Sequence, residues 1–278
     1  MPKPFLVPKP NPKPKPSPTP IAKPNPQTRK RPQDLLKLTA TPIHPFDLAH
    51  NLDTSGLVPA GHLLTGHPND AFVTAYYGVA PSILRTLIHC WREIIPPHPI
   101  HSYTFLDIGA GKGRAMLIAS ELPFHKVIGI ELNPQMADIA ERNLSLWREA
   151  HAADPTAPPL APIQLYEQDA LTFDLPRTPT LAFLFHPFEA PVLKLLLRRI
   201  EAQFARRRNT LDILYVNAEC RAVLDQHPAF TRLFLGPVAM SPEDHAADLA
   251  AIAEQQEYGS TGDEECAIYR YTGRSRTP

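Results

Sequence analysis

Hydrophobic positions in the middle of this chain recur at helical spacing. From Pro81 onward Leu84, Leu87, Ile88, Trp91, Ile94 and Ile95 share one face, and Pro96-Pro97 ends the run, so the stretch predicts a core-facing helix. Short apolar runs then alternate with longer amphipathic ones. "YTFLDIG" predicts a strand, "GRAMLIASEL" a helix, "KVIGIEL" a strand, "PQMADIAERNLSLWREA" a helix and "IQLYEQD" a short strand. "TLAFLFH", "APVLKLLLRRIEAQFARR" and "LDILYVN" continue as strand, helix and strand. Near-continuous apolar strands separated by helices predict an α/β fold, a doubly wound and mostly parallel sheet with helices on both faces. Toward the end "TRLFLGPV" and "CAIYRYT" read as two further strands around a helical, acidic insertion. A hairpin-like return between them predicts that the sheet finishes antiparallel.

The chain before Pro81 has no such rhythm. Residues 34 to 70 are mixed and loop-rich, and "DTSG" at Asp53 to Gly56 marks a turn. Residues 1 to 33 alternate proline with lysine and polar residues, which forbids helix and sheet and leaves little to bury. This part predicts an extended, disordered, solvated arm. It holds eight Lys and Arg and no acid, so with a net formal charge of +0 overall the remainder carries about −8. A basic arm of this kind allows nonspecific contact with RNA, DNA or another polyanion. With 278 residues, 43% of them hydrophobic, and no internal repeat, the chain supports one main domain.

Other features exclude function classes. Prolines interrupt every possible apolar segment of the arm, so no export signal is read, and no apolar stretch approaches the roughly 18 residues of a membrane span. Cys90, Cys220 and Cys266 are odd in number, far apart and without metal-ligand spacing, so neither a disulfide framework nor a metal site is expected. Reduced thiols and no membrane contact predict a cytoplasmic protein.

The candidate chemistry begins with "FLDIGAGKGRAMLIAS", residues 105 to 120, which reads as strand, tight turn and helix. Glycines at 109, 111 and 113 allow positive φ and close approach of a ligand to the backbone. The ligand is a phosphate, a dinucleotide, or a nucleotide-like molecule without phosphate. A phosphate-gripping loop needs GxxxxGK followed by Ser or Thr, whereas Gly111-Lys112 is followed by Gly113. A dinucleotide loop needs GxGxxG, whereas this one is GxGxG directly after "LDI".

"FLDIGAGKGR" resembles motif I of the class I, seven-strand, Rossmann-like S-adenosyl-L-methionine-dependent methyltransferases. The resemblance runs from about Phe46 to the end of the chain. More narrowly, "DTSGLVP", "YYGVAPSILRTL" and "LAFLFHPFEAPVL" are similar to segments of a mostly bacterial group within that class whose fourth motif is Asn-Pro-Phe; His186 stands here in place of the Asn. The resemblance implies a methyltransferase domain over residues 101–278 and a loop-and-helix segment over 34–100 that covers the cofactor site. It implies cofactor contacts at Tyr77, Asp107, Gly109, Ala110, Gly111, Gly113, Glu131, Leu132, Asp169 and Ala170. Glu131 would accept both ribose hydroxyls, Asp169 the exocyclic amine of adenine, and the Ala170 amide would face a ring nitrogen. Alone, either acid reads as a solvated surface carboxylate.

The same resemblance puts His186, Pro187 and Phe188 at the acceptor, with His186 either a general base or a residue that only positions the acceptor. Tyr76, Tyr77 and Phe188 read either as aromatic partners of the positive sulfur or as ordinary pocket walls. The acceptor is left open between a small molecule, a protein lysine and RNA. Two other readings share parts of the pattern: an NAD(P)-dependent oxidoreductase, and a noncatalytic nucleic-acid-binding or scaffold module that uses the basic arm.

Overall fold

A computed structural model of the protein describes residues 43–253 and 259–273. The expectation for the arm, residues 1 to 33, lies outside the described residues. Seven strands form one sheet in the order β3-β2-β1-β4-β5-β7-β6. β1 (Thr104–Ile108), β2 (Lys126–Glu131), β3 (Ile163–Glu167), β4 (Thr180–Phe185) and β5 (Leu211–Val216) run parallel. β7 (Asp263–Tyr271) inserts between β5 and β6 (Phe230–Ala239), antiparallel to both. The doubly wound sheet with an antiparallel finish is the expected fold.

The apolar pattern explains the order. β1 and β5 are buried at every residue, and β2 and β4 at all but one, so these four fill the middle of the sheet. β3 is only half-buried and lies at one edge, while β6 alternates and lies at the other. Successive side chains of each strand face opposite layers. Phe105, Val127, Leu181 and Leu214 pack against the helices Pro81–Glu93, Arg114–Ser120 and Pro134–Ala153, and Leu106, Ile128, Ala182 and Ile213 face Ala190–Phe204.

The Pro81–Glu93 helix begins with proline in its first turn and buries Ile83, Leu84, Leu87, Ile88 and Trp91. Ile95 departs from the expected stripe: the helix ends at Glu93, and Ile95 lies beyond it, 80% exposed with φ 57. The Trp91 indole N–H donates to Asp212 Oδ2 at 2.8 Å, and Asp212 also accepts two bonds from Arg270, at 2.8 and 2.9 Å. That buried carboxylate pins the helix to β5 and β7 with its charge compensated. Among the described residues no helix is long and apolar enough to cross a membrane.

Candidate functional site

The four parallel strand ends at β3, β2, β1 and β4 open onto one cavity of about 1110 Å³, part of it open to solvent. Its place beyond the carboxyl ends of parallel strands is where such sheets take ligands, and its size suits a small molecule. The glycine loop forms the floor. A Cβ on Gly111, whose φ is 55, would overlap the Tyr76 ring lying on it, so the close approach of that ring requires glycine. Gly113 has a different task. It stands at the start of the Arg114–Ser120 helix with φ 89, a Cβ there would meet that of Ala140 at 3.4 Å, and it is not among the lining residues.

The other expected cofactor residues, Tyr77, Asp107, Gly109, Ala110, Gly111, Glu131, Leu132, Asp169 and Ala170, all line the cavity. Asp107 is 2% exposed, and its Oδ2 has no hydrogen-bond partner. Burial first, and then the Glu131 charge, push its carboxyl up to about 8. Glu131 Oε2 accepts the Gly111 N–H at 2.7 Å and Oε1 accepts the Asn133 N–H at 2.8 Å. Burial also raises Glu131, and these backbone donors oppose the rise. Each of its oxygens keeps a lone pair for a ligand, so the side chain organises the loop as well as facing the cavity. Asp169 is committed to its own loop: Oδ1 accepts the Leu171 N–H at 2.8 Å, and Oδ2 lies 3.4 Å from His67 Nε2.

The segment before Pro81 forms the cover. Isolated bridges pair Val58 with Tyr76 and Val73 with Phe188, which brings residues 58–76 across the strand ends. "DTSG", where a turn is expected from its composition, is a mostly buried strap without regular secondary structure and with a bend at Gly56. Its polar side chains are consumed by two cations of the glycine motif. Lys112 Nζ donates to Asp53 Oδ1 at 2.8 Å and to the Ser55 carbonyl at 2.7 Å. Arg114 Nε donates to Thr54 Oγ1 at 2.6 Å and Nη1 to the Gly78 carbonyl at 3.1 Å, while Nη2 lies 3.8 Å from Asp47. Asp47, 1% exposed, accepts from the Thr54 amide and from the Thr54 and Ser55 hydroxyls. Asn143 completes the joint through its bonds to Asp53 and Lys112. Sequence reasoning assigns no role to Lys112, Arg114, Asp47 or Asn143. The available signal is two cations flanking Gly113 inside an otherwise apolar stretch.

At the far wall Pro187 and Phe188 line the cavity, as do Val73, Phe185 and Val192. The His186 ring is not among the lining residues. It is buried, with Nδ1 3.0 Å from the Tyr215 hydroxyl and Nε2 3.6 Å from Glu219, and its backbone carbonyl accepts the Thr74 hydroxyl. A general base must reach the acceptor proton, and this ring is bonded on the other side of the wall. Tyr76, Tyr77 and Phe188 do face the cavity. The Tyr76 hydroxyl donates to the Thr54 carbonyl at 2.8 Å, and burial, followed by a bond to Asp248, raises the Tyr77 hydroxyl.

No family model matches the chain, and no curated protein matches it. Among solved structures it is similar to a ribosomal protein L11 methylase from Lactobacillus delbrueckii subsp. bulgaricus, at 14% identity and a TM-score of 0.41, over 68% of this chain and 78% of that one. It is similar to magnesium protoporphyrin IX methyltransferase from Synechocystis PCC 6803 with bound SAM, at 10% identity and 0.41, over 68% and 79%. A precorrin-6y C5,15-methyltransferase from Geobacter metallireducens GS-15 is similar at 17% identity and 0.40, over 61% and 80%.

Proposed function

We propose that the cavity binds S-adenosyl-L-methionine and that the protein is a methyltransferase. The observation that carries this reading is Asp107, a buried carboxylate that lines the cavity and whose Oδ2 has no hydrogen-bond partner, with Glu131 at the end of the next strand. An unpaired buried carboxylate is costly, and a ligand bearing an ammonium group relieves the cost. The GxGxG spacing, shorter than the GxGxxG of a dinucleotide loop, disfavours a nicotinamide dinucleotide. When bound, the cofactor supplies an electrophilic methyl group on a sulfonium.

Asp107 would take the ammonium, Glu131 the ribose hydroxyls, and Leu132, Asp169 and Ala170 the adenine. Tyr76, Tyr77 and Phe188 would supply aromatic surface toward the positive sulfur. The protein's own task is positioning, worth effective molarities of about 10⁵ to 10⁸ M, so no covalent nucleophile is needed. Pro187 and Phe188 would touch the acceptor. His186 would be a positioning residue, holding their loop through Tyr215 and Thr74. The acceptor is a small molecule, a protein lysine or RNA, and labelled methyl transfer into fractionated extract identifies which.

S-adenosylhomocysteine at about 100 times its Kd should stabilise the fold by about 2.7 kcal/mol and raise Tm, with no effect of NAD or NADP. A rise with the dinucleotides instead would sink the reading.

The elevated Asp107 adds a pH signature. An acid raised from 3.8 to about 8 on folding lowers the stability of the free protein as pH rises between those values. Binding of an ammonium needs the carboxylate, so affinity for S-adenosylhomocysteine should climb toward pH about 8, by up to about tenfold per unit, with a proton released on binding. Calorimetry in buffers of different ionisation enthalpy measures that proton. Asp107→Asn should bind weakly at every pH; a proton release that survives in this variant would remove Asp107 from the role.

A further inference from the structure

Behind the cavity wall, a cluster forms that the cofactor site does not use. His186 closes β4, Glu189 immediately precedes the Ala190–Phe204 helix, and Cys220 follows β5, so adjacent strand ends bring three different ligand types together. One ligand atom from each lies within 4.8 Å of the others. Cys220 Sγ is 3.9 Å from Glu189 Oε2, and His186 Nε2 is 3.6 Å from the exposed Glu219 carboxylate.

We propose that His186, Glu189 and Cys220 form a Zn²⁺ site, with Glu219 or water in the fourth position. Thiolate, imidazole and carboxylate together make a borderline-soft set that suits zinc, whereas calcium and magnesium take oxygen alone. Zinc bonds of about 2.0–2.3 Å draw tetrahedral ligands to within roughly 3.5 Å of one another, so shifts of about 1 Å close the set. Tyr215 supplies the support that ligating histidines need. With Nδ1–H donating to its oxygen, Nε2 presents a lone pair toward Glu219, and the same oxygen accepts the Cys220 N–H at 3.3 Å. His186 and Asn217, neither a glycine, stand at φ 38 and 48 in the two loops that meet here. That backbone conformation is costly, and a bridging ion offsets the cost. The exposed Glu189 and Glu219 leave a route for the ion.

An ion here would tie the β4 loop, which carries Pro187 and Phe188, to the loop after β5. It would set the acceptor wall without touching the acceptor. The zinc proposal does not depend on the identity of the cofactor.

Cobalt is the probe. Untagged full-length protein, stripped with chelator and titrated with Co²⁺, should show tetrahedral d–d bands and a thiolate-to-cobalt charge-transfer band that saturate at one equivalent and bleach with Zn²⁺. Cys220→Ser should lose the charge-transfer band. Glu189→Gln, at an exposed helix start, should weaken Zn²⁺ binding at least about tenfold while the metal-free Tm stays at the wild-type value. Absence of the charge-transfer band, or its survival in Cys220→Ser, overturns the site. S-adenosylhomocysteine binding on the same samples keeps the two readings apart, since intact binding without the cobalt signal counts against the metal alone.

Discussion

Glu131→Ala should lower affinity for S-adenosylhomocysteine by at least about 10²-fold, because the carboxylate is assigned two charge-assisted hydrogen bonds of about 1.5–3 kcal/mol each. The side chain also accepts the Gly111 and Asn133 amides, so its loss leaves two buried donors and loosens the floor of the cavity. Removing a carboxylate that burial already disfavours offsets part of that cost, and the variant should still melt cooperatively. Asp169→Ala is the internal comparison. Its carboxylate is already bonded to the Leu171 amide and lies beside His67, so it should lose less affinity than Glu131→Ala. Titration calorimetry at fixed pH gives both values. Equal affinity in Glu131→Ala and wild type would end the assignment of the ribose to position 131.

Arg114→Ala should carry the largest stability loss, about 3–5 kcal/mol, because it leaves Asp47 as a buried charge without its cation. The Gly78 and Val79 carbonyls lose their donor in the same step. For a domain of this size the fall in Tm is on the order of 10 °C. The guanidinium also fastens the strap to the start of the Arg114–Ser120 helix, and Tyr76 and Tyr77 lie on the segment so held. Cofactor binding should therefore weaken even well below the new Tm. Arg114→Lys keeps a charge but cannot reach Thr54, Ser55, Gly78 and Val79 together, so it should fall between the two. A Tm within the scatter of wild type would show that the strap is held elsewhere.

Much of the architecture was legible along the chain because its signals are local. Four central strands are near-continuous apolar runs, the pattern that burial on both faces selects. The Pro81 helix announces itself by spacing and by the proline at each end. The floor of the cavity was legible in part: Gly109, Gly111, Asp107 and Glu131 line it and belong to single strand-to-helix turns, whereas Gly113 serves the helix start against Ala140. These positions need only the right residue at the right end of a strand, and alternation of strand and helix supplies the rest.

Tertiary structure decided what depends on partners distant in sequence. The motif cations Lys112 and Arg114 carry no role in the sequence until Asp53, Thr54 and Asp47 are found against them, because nothing local says which buried acid will neutralise a buried base. His186 sits beside two cavity residues in sequence, yet its ring follows the left-handed backbone to Tyr215 on β5. A periodicity argument assigns no such direction to a residue past the end of its strand. Cys220 joins His186 and Glu189 only because β4 and β5 are neighbours in the sheet, a pairing set by the packing of the whole sheet and by no spacing within the chain.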